Sequence, residues 1–363
     1  MAELCEWIAS EGHQVEVVAA GDPGSDESWQ KMPVTRVLAA PGLFYAGGAP
    51  DALQSKRSLW HALRFQGRLL QSIRKQASSW DGLVAHWLAP CALAAILGST
   101  NKPIWAIAHG GDVYLLERLK LTGLVARLLN RPHVHLSFVS QSVQDVFARN
   151  AGRAGSALVA RSTVASMGID LARFRSLRAK RRNNVTPVVL FLGRLVPIKG
   201  VDTLIESLQG LERSCEVIIA GSGPMEKSLK AQALLGGLNI RWAGEVRGEA
   251  REQLLSAADV VVVPSREHQG RSEGMPLVAL EALASGAQLL TSQSGGLGEI
   301  PSSICHHVDP EDPAALRTAL RKILDGKKVS QTPERWLASR SWAAVAPVLL
   351  RGLNSPQTEW RSA

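Results

Sequence analysis

Glu273 and Glu281 stand eight positions apart in EGMPLVALE, on either side of a Gly-Met-Pro break. Two carboxylates can share acid and base work, bind hydroxyl groups, or remain solvated charges at a helix end. The spacing narrows the choice. Pro276 suits the first turn of a helix and pushes Met275 away from helical dihedrals, while Gly286 suits the other end. Glu273 is then expected in the loop ahead of the helix, with Glu281 about 7.5 Å along it. Retaining glycosidases hold their carboxylates about 5 Å apart. Between this pair lie free N–H groups of a helix N-terminus, which attract an anion. A ligand with a phosphate centre flanked by hydroxyl-bearing groups fits such a site, and a nucleotide sugar has that form. On this stretch alone, solvated helix-end charge is an equal reading.

Two cations add to the pattern. In FLGRLVPIKG (191–200), Arg194 follows an apolar run and Lys199 precedes the next helical segment. A planar fork and a point charge together suit a diphosphate. The glycine-rich turns AGSGP (220–224) and SGGLGEI (294–300) are open to either a structural or a ligand-contacting role. Neither matches the dinucleotide or Walker fingerprints, so nicotinamide enzymes and P-loop ATPases have no support.

Short apolar runs must carry these loops. VEVVAA (15–20), GLVAHW (82–87), PIWAIAH (103–109) and HLSFVS (135–140) read as buried strands separated by helical stretches. The alternation resumes with PVVLFLG (187–193), CEVIIAG (215–221), NIRWAG (239–244), DVVVVPS (259–265) and AQLLTS (287–292). Runs of Val, Ile and Leu without polar alternation are what parallel sheets covered on both faces need. The reading is α/β, doubly wound, twice over. Expected boundaries are 1–178 for the first domain, a basic linker at 179–186, 187–335 for the second domain, and a C-terminal helix within 336–363. Ligands bind where strand carboxyl ends meet, so the site is expected in a cleft there.

The 363 residues suffice for two cores, and the four cysteines are scattered without a C-x-x-C, which fits a reducing cytosol. The charged N-terminus is unlike a signal peptide. Gly82–Asn101 lacks Asp, Glu, Lys and Arg, yet His86 and Pro90 favour strand, turn and short buried helix over a membrane span. Most of the +9 net charge lies in the first 180 residues, which calls for an anionic partner. Nucleic acid is disfavoured because the one basic run, at 176–187, has no interleaved aromatics. Residues 56–76 place Arg57, Arg64, Arg68 and Lys75 on one helical stripe with Trp60, Leu63, Leu70 and Ile73 on another. Such a helix either packs on its sheet or rests on anionic lipid.

Taken in order, GRLVPIKG (193–200), AGSGP (220–224), ADVVVVPS (258–265) and EGMPLVALE (273–281) resemble glycosyltransferase family 4. The resemblance extends more thinly through AHWLAPCALAA (85–95), HGGDVY (109–114), FVSQS (138–142) and MGID (167–170). It implies the GT-B fold, with two Rossmann-like domains facing across a cleft. It implies transfer of a sugar, with retention, from a nucleotide-diphosphate donor to a saccharide or lipid-linked acceptor, in cell-surface polysaccharide or glycolipid synthesis. By motif, Arg194 and Lys199 hold the diphosphate, Glu281 the ribose and Glu273 the transferred sugar. Gly274, Met275, Pro276 and Leu277 line the phosphates and sugar, while His109 with Gly110, Gly111 and Asp112 face the sugar from the first domain. The carboxylates then bind and orient, and fixed positive groups stabilise the departing diphosphate. The nucleotide sugar is a co-substrate and no cofactor is expected. No D-x-D occurs, so a metal-free site is expected, with a cytoplasmic location peripheral to the membrane. The alternatives are a nucleotide-sugar epimerase of the same fold and a non-catalytic nucleotide-sugar-binding protein. Family members usually begin with a strand and glycine-rich loop, whereas this chain opens on the helix that follows them. Either Met1 is not the natural start, or the protein is shortened and its activity weakened or lost.

Overall fold

The computed structural model describes residues 2–21, 28–29, 32–38, 56–99, 101–179, 185–331 and 333–351. Most of the expected linker lies outside these residues. Ile169–Ser341 forms one compact unit, and the residues before it form the other together with those from Trp342 onward. Leu171–Ala179, read from the sequence as part of the first domain, is a helix whose Leu171 and Phe174 are buried in the core of the second unit.

The second unit is built on one six-stranded, all-parallel sheet. Its strands are β8 (Val188–Leu192), β9 (Glu216–Ala220), β10 (Ile240–Gly244), β11 (Val260–Val263), β12 (Gln288–Ser292) and β13 (His306–Val308). The spatial order is β10-β9-β8-β11-β12-β13. In order of appearance that is 3-2-1-4-5-6, the dinucleotide-fold order, and it reverses between β8 and β11. The central strands read VVLFL and VVVV because both faces are covered: residues of successive parity enter two separate cores. Loops after β8 and β11 therefore emerge side by side at the switch point. They carry Lys199 and Glu273.

The first unit has a parallel sheet, β4 (Leu83–His86), β5 (Ile104–Ala108), β6 (Val134–Phe138) and β7 (Thr163–Val164), in that spatial order. A second sheet comprises β1 (Val17–Ala20), β2 (Ser28–Trp29) and β3 (Met32–Val37), in the order β1-β3-β2. Among the described residues no strand joins the two sheets. They nevertheless share a core, in which Leu4, Ile8 and Val37 pack with Leu83, Ile104 and Ala106. The uncharged stretch from Gly82 is β4, an irregular turn over Leu88–Ala92 and the helix Leu93–Gly98. Among the described residues no helix is long and apolar enough to cross a membrane. The C-terminal helix Trp342–Leu349 belongs to this unit. Its Trp342 indole donates to Glu3 at 2.8 Å, and Trp105 donates to the Arg351 carbonyl at 2.9 Å.

Candidate active site

Lys199 closes the short 3-10 turn Pro197–Lys199 after β8. Gly200 follows at φ 64°, where an added Cβ would stand 2.0 Å from the Pro264 carbonyl oxygen, so only glycine lets this loop reach the one after β11. Arg266 fixes the turn from the side. Its backbone N–H donates to Ile198 at 2.9 Å, its Nε to the Pro197 carbonyl at 2.9 Å, and its Nη2 meets Asp202 at 2.8 Å. Lys199 Nζ then lies 2.9 Å from Glu273 Oε1, with both side chains only about a sixth exposed (16% and 17%). Arg194 projects from the start of the same loop and is exposed, with no side-chain partner among the described residues.

Glu273 is held through its backbone. Its carbonyl accepts from Gly296 N–H at 3.0 Å, and Gly295, at φ 54°, passes so close that a Cβ would fall 2.2 Å from that oxygen. SGGLGEI is thus a structural clamp on the Glu273 loop. AGSGP is also structural: Cβ atoms at Gly221 and Gly223 would meet the Gly193 and Leu195 carbonyl oxygens at 1.8 and 2.4 Å. Leu195 N–H donates to Ser222 at 2.8 Å, which packs this turn under the loop bearing Arg194.

The helix after Glu273 runs from Leu277 to Ser285 and ends at Gly286, φ 86°. Pro276 caps it in an extended conformation instead of occupying its first turn, one residue later than the spacing suggested. Gly274 and Pro276 are buried, Met275 is half-buried and Leu277 is exposed. Glu281, within this helix, is buried at 6% exposure. It forms an ion pair with Arg251 from the helix Gly248–Ala257. Lys199 and Glu273 thus meet ahead of this helix, whereas Glu281 lies further along it with Arg251, and Arg194 stands on the loop that carries Lys199.

In the first unit, His86 ends β4 and His109 follows the neighbouring β5. His86 Nδ1 and His109 Nε2 are 2.9 Å apart. Burial pushes the His109 pKa down to about 4; burial and the neighbouring His109 put His86 well below its ordinary range. Both rings are neutral at pH 7, one donating to the other. The Asp112 carboxylate is fully buried and accepts from Leu88 N–H at 2.7 Å and His109 N–H at 3.0 Å. Burial raises its pKa to about 6 despite these bonds. Gly110, at φ 99°, and Gly111 form the turn that folds Asp112 back beneath His109. Asp112 therefore ties two strand ends together.

Arg251 and Arg266 escaped the sequence reading, and His86 was noted there without a role at the site. Each acts on a partner 23 to 69 positions away, and no local spacing marks it. The only signal available was an arginine on the otherwise mixed helix GEAREQLLSA.

Comparison with known proteins gives the geometry a family. The profile for "Glycosyl transferases group 1" matches residues 173–337, and that for "Glycosyltransferase Family 4" matches residues 1–173. The chain belongs to glycosyltransferase family 4. A glycogen synthase of Mycobacterium tuberculosis is 29% identical over 378 aligned residues, covering 94% of this chain and 87% of that protein. A GDP-mannose-dependent alpha-(1-6)-phosphatidylinositol monomannoside mannosyltransferase of the same species is 29% identical over 269 residues, covering 70% of this chain and 64% of the relative. The fold matches the Anabaena protein HepE in complex with UDP-glucose, with a TM-score of 0.68, 18% identity and coverage of 96% and 94%. The chain is a glycosyltransferase of GT-B fold that uses a nucleotide-sugar donor.

Proposed function

We propose that this transferase moves a hexosyl group, with retention, from a nucleoside diphosphate sugar to a saccharide or lipid-linked acceptor. The observation that carries the assignment of roles is the 2.9 Å approach of Lys199 to Glu273 beside a helix N-terminus at the sheet's switch point. Lys199 and Arg194 take the diphosphate, Glu273 accepts from hydroxyls of the transferred sugar, and Glu281 from the ribose. The backbone N–H groups of Gly274, Met275 and Leu277 add partial positive charge; Pro276 has none to offer. His109, neutral and hydrogen-bonded to His86, orients sugar hydroxyls. As the anomeric C–O bond breaks, its electron pair passes to the diphosphate oxygen, which the two cations and the helix end stabilise. The acceptor hydroxyl oxygen bonds to the same face of the anomeric carbon and its proton passes to a donor phosphate oxygen. In this reading the cations do the work of a bridging metal.

A thermal-shift panel of UDP-, GDP- and ADP-sugars tests it. The true donor at a hundredfold over its Kd stabilises wild type by about 2.7 kcal/mol, and Lys199→Ala loses most of that. Equal shifts in both proteins would remove Lys199 from the donor site.

We also place the enzyme at the cytoplasmic face of a membrane. In the helix Lys56–Gln76, Trp60 and Leu63 are 54% and 64% exposed, and Arg64 lies 4.5 Å over the Trp60 ring. Arg68 and Arg74 instead turn to the Leu38 and Leu97 carbonyls, and the Arg57 side chain lies outside those described. Apolar tips beside a guanidinium suit an anionic lipid surface. Co-sedimentation with phosphatidylglycerol vesicles at low salt, lost in Trp60→Ser/Leu63→Ser, checks this; no sedimentation of wild type would refute it.

A further inference from the structure

We propose that the second unit carries a separate binding site for a small phosphate ester, in the groove outside the edge strand β13. The groove has a volume of about 870 Å³, within the range of small-molecule sites. One wall is β13 with His306; another is the last turn of the helix Pro313–Leu324, bearing Lys322; the third is the following loop with Lys327 and Lys328. None of these three lysines has an ion-pair partner among the described residues, although Asp325 beside them pairs with Arg213. The groove's one carboxylate, Asp312, is engaged: its Oδ1 caps the helix by accepting from Ala315 N–H at 2.8 Å. The lining thus carries three lysines against a single carboxylate. The three exposed lysines line one concavity, and an ammonium group donates well to phosphate oxygens. The positive field is already felt by His306, whose pKa is lowered by burial and then by Lys327. None of the donor-site residues lines this groove, so its ligand is bound in addition to the nucleotide sugar.

The probes are inorganic pyrophosphate and a hexose 6-phosphate, titrated calorimetrically at low salt. Arg194→Ala/Lys199→Ala protein removes the cations assigned to the donor site, so this test is independent of the proposed donor contacts. We expect a 1:1 isotherm in that background for at least one probe. Its Kd should rise at least tenfold when Lys322→Gln, Lys327→Gln and Lys328→Gln are added, with an unchanged thermal midpoint. Neutralising Lys75, Lys120 and Lys227 instead should leave the Kd within twofold. No isotherm for either probe, an isotherm indifferent to the groove lysines, or an equal loss with the distant lysines would overturn the proposal.

Discussion

Arg251 and Glu281 form an ion pair in which the carboxylate is buried and the guanidinium is about a quarter exposed (26%). A charged carboxylate buried there without a cation would be destabilising, and Arg251 supplies that cation. Removing one partner of such a pair exposes the full desolvation cost of the other. Arg251→Ala should lower unfolding free energy by about 3 kcal/mol and raise the donor KM, measured by denaturant titration and initial rates. Arg251→Met/Glu281→Leu should recover much of the stability and none of the donor affinity. Recovery of both would mean that Glu281 is structural.

Arg266 acts one step further from the ligand. Its fork joins the Pro197 carbonyl to Asp202 and so sets where Lys199 emerges. Lysine cannot reproduce two directed bonds, so Arg266→Lys should behave much like Arg266→Ala. Both should raise the donor KM more than they lower kcat, by about tenfold if one charge-assisted bond to the diphosphate is weakened. A Lys variant with wild-type KM would limit Arg266 to simple charge balance.

The strand runs of the second unit were legible because buried parallel strands are apolar without interruption, and each expected run there contains the observed strand. β13 was not: HHV is short, partly exposed and lies at an edge, where no apolar run is required. β3 escaped because MPVTRV contains Pro33 and Arg36 on a half-buried strand. At the site, residue types were readable but their partners were not. Lys199 and Glu273 were placed near a common ligand from their positions after two strands, yet their approach depends on β8 and β11 being neighbours, which is a property of sheet order. The glycine turns could be resolved only when the carbonyls they pass became visible. Their spacing records a steric requirement without naming what lies across it.

Gly295 makes that requirement testable. Its φ of 54° disfavours any side chain, and a Cβ there would collide with the Glu273 carbonyl. Gly295→Ala should destabilise the protein by about 2 kcal/mol and move Glu273 away from Lys199. Because Glu273 is assigned to the transferred sugar, kcat should fall more than nucleoside diphosphate affinity. Calorimetry with the free nucleotide and turnover with the sugar donor separate the two. Parallel losses would place Glu273 at the phosphates instead.

The first unit offers a pH test with opposing signs. His109 and His86 have folded pKa values below the ordinary 6.5, so protonation favours the unfolded chain; their contribution is intact above pH 6.5 and is lost as pH falls through the folded values, about 4 for His109. Asp112 has a folded pKa raised to about 6 from 3.8, so its contribution is present below 3.8 and is lost as pH rises through 6. Cys91, beside it, is pushed up to about 12 and stays neutral throughout. Two groups therefore oppose one between pH 6.5 and 4, and wild type should lose stability on acidification. In His86→Gln/His109→Gln the opposing pair is gone and Asp112 remains. The stability of the variant relative to wild type should therefore rise as pH falls through this window, read from urea unfolding at pH 7, 6, 5 and 4.5. A constant difference across those pH values would mean that the two rings are not held neutral by burial, and that His109 is free to act as a cation at the sugar.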